Sequence, residues 1–188
     1  MNNIYLVGFM GTGKTAVGRE LARKKKCCFV DLDDLIELKE GRTISDIFAR
    51  NGEPYFRKTE KEVLKQVARE DGFVVACGGG IVIDRDNIAI MKKSGRIICL
   101  GAAPQVILKR TRTFTHRPFL NVTDPKKRID LMLKLRAPFY ALADKTVNTS
   151  KLTIKEVVNK ILKWLKPHKS LHKRPARSKA RAKNKKQR

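Results

Sequence analysis

The octet Gly8-Phe9-Met10-Gly11-Thr12-Gly13-Lys14-Thr15 matches G-x-x-x-x-G-K-[ST] in full. No other stretch constrains the fold as tightly. The glycines let the backbone turn sharply, so that successive N–H groups converge on phosphate oxygens. The helix that follows adds its positive N-terminal end. Such a loop needs a strand before it and a helix after it. Residues 4–7 are a short apolar run that reads as a buried parallel strand. Residues 14–25 have helical spacing, with Val17, Leu21 and Ala22 on one face. Gly11, Thr12, Gly13, Lys14, Thr15 and Ala16 are therefore candidate nucleotide-binding residues. Lys14 reaches the terminal phosphates, and the Thr15 hydroxyl is a candidate Mg²⁺ ligand.

Strand and helix patterns alternate through the rest of the chain. Strands are expected at 28–30 (ending at Asp31), 73–77, 96–100 and 145–148. Helices are expected at 33–39, 44–50, 53–70, 85–92, 104–110, 125–143 and 153–165, and a polar loop at 111–124. This alternation predicts an α/β fold: a five-stranded parallel sheet with helices on both faces. Ligands of such sheets bind at the carboxyl ends of the strands. Three of those ends carry reactive or permissive residues: Gly8 onward, Asp31 to Asp33, and Gly78 to Gly80.

The net charge is +25. Residues 166–188 hold 11 Lys/Arg and no acid, which leaves +14 on the rest. A basic body attracts nucleotides, small acids and nucleic acid. The segment 166–188 has almost no apolar residues and is read as a disordered basic tail able to contact nucleic acid non-specifically. No run of about 18 apolar residues exists, which argues against a membrane span. The N-terminus lacks a secretion-signal pattern. Cys27, Cys28, Cys77 and Cys99 have no metal-binding spacing and read as reduced core thiols. A cytoplasmic monomer is the expectation.

Phosphoryl transfer to an alcohol needs one carboxylate to orient the hydroxyl and another near Mg²⁺. Asp31 and Asp33 lie two apart, on the same side if the segment stays extended. Asp34 reads as a helix cap. Gly78-Gly79-Gly80 costs stability unless backbone must approach a ligand. The loop 111–124, flanked or occupied by Arg110, Arg112 and Arg117, reads as a lid that excludes water. His116 reads as a solvent-exposed neighbour. Arg57, taken alone, reads as a solvated helical residue.

Together these residues resemble the shikimate kinases, within the P-loop, nucleoside-monophosphate-kinase-like fold. The likeness runs over about residues 3–165. It rests on the P-loop, on Phe29 to Asp33, and on Ile44-Ser45-Asp46-Ile47-Phe48. It continues through Gly52-Glu53-Pro54-Tyr55-Phe56-Arg57-Lys58-Thr59-Glu60, Gly78 to Gly80, Arg117-Pro118 and Leu135-Arg136-Ala137-Pro138-Phe139-Tyr140.

The resemblance implies ATP-dependent phosphorylation of the 3-hydroxyl of shikimate, with Mg²⁺ as cofactor. It implies that Lys14 holds the β- and γ-phosphates, and that Thr15 and Asp31 place the metal. Asp33 would orient or deprotonate the attacking hydroxyl. Arg57 and Arg136 would grip the carboxylate, beside Gly79 and Gly80. Arg117 would contact the phosphates, and Arg110 would lie near adenine. One position departs: Leu142 stands where the family usually has Glu. Two other readings compete: a related kinase for another small hydroxy acid such as gluconate, and a nucleic-acid-associated ATPase.

Overall fold

The computed structural model describes residues 2–111 and 124–166. The lid expected at 111–124 therefore lies almost wholly outside the described residues, as do Arg112, His116, Arg117 and the tail beyond Lys166.

The five strands are β1 (Asn3–Val7), β2 (Cys28–Asp31), β3 (Phe73–Ala76), β4 (Gly95–Gly101) and β5 (Lys145–Asn148). All are parallel, in the order β2-β3-β1-β4-β5. Leu6 of β1 pairs with Ala76 on one side and Ile98 on the other. Every residue of β1 is buried, as expected of a central strand covered on both faces. Alternation then sorts its side chains. Tyr5 and Val7 join one core with Val75, Ile97 and Cys99, and Ile4 and Leu6 join a second with Val74, Ile98 and Leu100.

Seven α-helices among the described residues cover these faces. They are α1 (Lys14–Lys25), α2 (Leu32–Glu40), α3 (Ile44–Val67), α4 (Arg85–Ser94), α5 (Pro104–Thr111), α6 (Pro125–Tyr140) and α7 (Ile154–Leu165). Helices α2, α3 and α4 supply the first core through Ile36, Leu64 and Met91, all fully buried. Helices α1 and α7 supply the second through Leu21, Val158 and Ile161. A third, smaller cluster of Phe9, Ile107 and Ile129 seats α5 and α6 against the P-loop.

The helix ends follow local chemistry. Thr153 and Glu156 form a reciprocal capping box at α7. Asp124 caps α6, with Pro125 in the first turn. The helices expected at 44–50 and 53–70 abut as α3. Gly52, at φ 76° and ψ 176°, breaks the helical path, and Pro54 follows without an N–H. The second half ends at Val67, three residues earlier than the periodicity suggests. A 3₁₀ turn at Ile81–Ile83 had no sequence signal.

No helix among the described residues is long and apolar enough to cross a membrane. The four cysteines are free thiols. Cys77 and Cys99 are buried as expected, and burial raises both, Cys99 to about 11. Cys28 is exposed, so it is not a core thiol. It sits at the open start of edge strand β2.

Candidate functional site

The loops after β1, β2 and β3 meet at the carboxyl edge of the sheet. The P-loop enters between β1 and α1. Gly8 has φ 136°, and a Cβ there would overlap the carbonyl of Leu100, so only glycine fits. Gly13 takes the left-handed region at the N-cap of α1. The ammonium of Lys14 folds over this loop, 3.0 Å from the Gly8 carbonyl and 3.2 Å from that of Phe9. The Thr12 hydroxyl donates to the Phe9 carbonyl at 2.7 Å and braces the turn.

Arg110 locks the far side of the loop. Its guanidinium donates to the Gly11 carbonyl at 3.2 Å, to the Thr149 hydroxyl at 3.1 Å and to the Thr149 carbonyl at 2.9 Å. Thr149 is buried and in turn donates to the carbonyls of Thr12 and Gly101. The P-loop is thus tied to the turn after β5. Sequence reasoning missed Thr149, because a lone Thr after an edge strand carries no pattern.

The Thr15 hydroxyl donates to Asp31 Oδ2 at 2.9 Å. Two hard oxygen donors therefore stand side by side next to the phosphate loop. Burial raises the Asp31 carboxyl, against the lowering effect of the Thr15 hydroxyl. Asp31 Oδ1 accepts from the Asp33 N–H at 3.2 Å and caps α2. This corrects two expectations. The cap is Asp31 rather than Asp34. Asp33 is also not on extended chain, because α2 begins at Leu32 and Asp33 is its second residue.

Asp33 faces the glycine loop after β3. A Cβ at Gly78 would lie 3.2 Å from Asp33 Oδ1 and 2.6 Å from Glu60 Oε1. Two carboxylates from different helices thus crowd one glycine. Glu60 is fully buried on α3, and its Oε1 has no hydrogen-bond partner. Burial raises its carboxyl, Arg57 opposes that shift, and the Asp33 charge adds to it.

Arg57 is held from two sides. Its Nη1 donates to Glu60 Oε2 at 2.7 Å, while Nε and Nη2 donate to Glu53 Oε1 at 3.1 and 3.0 Å. It is therefore no solvated surface residue: its guanidinium presses on Gly80, where a Cβ would overlap it.

Arg136 approaches from α6 on the other side. Its Nη1 donates to the Gly79 carbonyl at 3.3 Å, and its guanidinium lies 5.5 Å from the centroid of the Phe9 ring. Its Nε is buried without a partner. The Tyr140 hydroxyl also donates to Gly79 O, at 2.8 Å, and burial pushes that phenol up to about 12.

Lys14, Thr15, Asp31, Asp33, Arg57, Gly79, Gly80 and Arg136 therefore converge on one edge of the sheet, with Arg110 behind the P-loop. Glu60 and Tyr140 belong with them although neither carried an assigned role. Their only signal was membership of the Arg57 and Arg136 segments. The arrangement offers a phosphate cradle, a pair of oxygen donors, a carboxylate facing a glycine loop, and two guanidiniums flanking that loop. It suits transfer of a phosphoryl group to an alcohol that also carries a negative charge.

The profile of the family described as Shikimate kinase matches residues 10–166. The shikimate kinase of Thermoanaerobacter pseudethanolicus is 44% identical over 163 residues, which is 87% of this chain and 95% of that protein. Among solved structures, the shikimate kinase from Acinetobacter baumannii in complex with shikimate superposes with a TM-score of 0.83 at 38% identity. That match covers 87% of this chain and 92% of the other. A gluconokinase from Sinorhizobium meliloti reaches a TM-score of 0.53 at 16% identity over 86% of this chain and 90% of its own. It shares the fold alone.

Proposed function

The chain belongs to the shikimate kinase family, and on that premise we propose how its own residues carry phosphate from ATP to the 3-hydroxyl of shikimate. The products are shikimate 3-phosphate and ADP. The observation that carries the acceptor assignment is the pair Arg57 and Arg136 on either side of Gly79 and Gly80. The buried, unpartnered Nε of Arg136 points to an anionic oxygen as its missing acceptor. A carboxylate gripped between two planar guanidiniums fits that demand.

The P-loop amides and Lys14 bind the β- and γ-phosphates. Asp33 orients the 3-hydroxyl in line with the γ-phosphorus and takes up its proton as the new P–O bond forms. Glu60 positions Arg57 and keeps its fork turned toward the glycine loop. Arg117, outside the described residues, is assigned to the transferring phosphate, and Arg110 to the neighbourhood of adenine.

The adjoining oxygens of Thr15 and Asp31 suit Mg²⁺, a hard cation that keeps several waters and takes one or two protein ligands. Among the described residues no group of three or more His, Cys, Asp or Glu is placed to hold a metal, which accords with that sparse ligation. When bound, the ion neutralises charge on the β- and γ-phosphates. The reading takes the enzyme to act as a monomer. A cytoplasmic enzyme of aromatic amino acid biosynthesis is the setting this reading proposes.

Two predictions test the acceptor site. Arg57→Lys should raise the shikimate KM by about tenfold with kcat nearly unchanged, because an ammonium lacks the planar two-point contact. An unchanged KM removes Arg57 from the site. Gly80→Ala should raise the same KM by a similar factor, since the new Cβ displaces the Arg57 guanidinium. Steady-state kinetics with a circular dichroism check of folding measures both.

The direct test is ADP release from Mg-ATP with and without shikimate. Release that depends on shikimate supports the reading. Release with gluconate or RNA and none with shikimate overturns it.

A further inference from the structure

Tyr140 is the last residue of α6, four positions after Arg136. That spacing puts both side chains on one face of the helix. Both donate to one atom, the carbonyl oxygen of Gly79: Tyr140 through its hydroxyl at 2.8 Å, and Arg136 through Nη1 at 3.3 Å. A carbonyl oxygen has two lone pairs, so the two donors fill it. The tyrosine bond is the short one. The arginine bond lies at the long end of the N–H···O range.

The place of that carbonyl bears on both halves of the site. Gly79 sits between α6 and the phosphate loop: a Cβ on it would lie 3.4 Å from Arg136 Nη1, 3.4 Å from the Gly8 carbonyl oxygen and 3.9 Å from the Met10 nitrogen. Tyr140 is well anchored to hold it. Its ring packs against the first core with Phe139 and Ala143. The Ala141 N–H closes the last turn of α6 on the Ala137 carbonyl at 3.0 Å. Burial pushes the phenol up to about 12 against the nearby Arg136 charge, so it stays a donor at neutral pH.

Arg136, by contrast, has an unfinished set of hydrogen bonds. Nη1 is spent on Gly79, and Nε is buried without a partner. Nε and Nη2 form one edge of the planar fork, and such an edge meets a carboxylate with two parallel bonds. The direction of that edge depends on where Nη1 is pinned.

We propose that Tyr140 is a positioning residue for the acceptor: its hydroxyl fixes the Gly79 carbonyl and fills half of its accepting capacity, so that Arg136 keeps its Nε edge turned toward the acceptor's carboxylate. This rests on the assignment of Arg136 to that carboxylate. Without the hydroxyl, the half-satisfied carbonyl draws the guanidinium to itself and turns the Nε edge aside. Tyr140 takes no part in the chemical step, so its loss is felt in acceptor affinity.

Tyr140→Phe keeps the ring and removes only the hydroxyl. The shikimate KM should rise about fivefold, the worth of one neutral hydrogen bond, and the shikimate Kd from isothermal titration calorimetry should rise with it. The ATP KM and kcat should stay within about twofold. A packing defect would instead lower the melting temperature and kcat together. Arg136→Lys and Y140F/R136K complete a double-mutant cycle, read as shikimate Kd. On the R136K background, Y140F should weaken binding by less than about twofold, because the fork that Tyr140 orients is gone. The proposal is overturned if Y140F leaves the shikimate KM and Kd unchanged, if kcat or the ATP KM moves instead, or if Y140F keeps its full effect on the R136K background. Wild type that releases no ADP with shikimate overturns the proposed reaction, and the role of Tyr140 with it. Wild type that turns over while Y140F matches it overturns the role of Tyr140 alone.

Discussion

Lys14→Ala is expected to lower kcat by about a thousandfold or more while leaving the fold intact. The ammonium lies over the P-loop within 3.0–3.2 Å of two backbone carbonyls. In the proposed binding mode it is therefore already close to the β- and γ-phosphate oxygens, and little reorganisation is needed as charge builds on the transferring group. Alanine removes that charge and leaves the amide cradle in place. Shikimate KM should change by less than about threefold, because Arg57 and Arg136 are untouched. A coupled ADP assay with a thermal-unfolding control measures this. A variant that still turns over within about tenfold of wild type would remove Lys14 from the transition state.

The second large effect is expected of Asp33→Asn. Asparagine keeps the shape and loses both the charge and the capacity to accept the hydroxyl proton. General-base contributions run to about 10²–10⁴ in rate, so kcat should fall by about a hundredfold or more. The KM for ATP should hold within about threefold, since the nucleotide is bound on the P-loop side. Glu60 is the second carboxylate crowding Gly78. If Asp33→Asn turned over normally, Glu60→Gln would be the next variant to assay, and the assignment of Asp33 would be withdrawn.

The nucleotide half of the site was readable because its chemistry is local. A P-loop is eight consecutive residues, and the flanking strand and helix advertise themselves by periodicity. The first helix, 14–25, agrees to the residue with α1, and the fifth strand, 145–148, with β5. The acceptor half is long-range. Arg57 looked like a surface residue because nothing along α3 announces that Gly80, more than twenty positions later, folds against it. Glu60 was obscure for the same reason: its burial comes from tertiary packing, while helical spacing alone suggests a solvated acid. Family likeness recovered Arg57 where composition and spacing left it on the surface. The Asp34 cap was misjudged because the helix starts at Leu32, one position before its polar residues begin, which makes Asp31 the cap.

The stacking of Arg136 on Phe9 joins the two substrate sites of the proposed reaction. Phe9 belongs to the phosphate loop, and Arg136 to the proposed carboxylate grip. On the proposed reading, a ligand that fixes either one is expected to restrict the other through that ring. Thermodynamic reciprocity then applies: whatever factor by which shikimate changes the affinity for ATP, ATP changes the affinity for shikimate by the same factor. Replacing Phe9 with a smaller apolar residue should therefore alter how strongly the two substrates sense each other, even though Phe9 is assigned a chemical role toward neither.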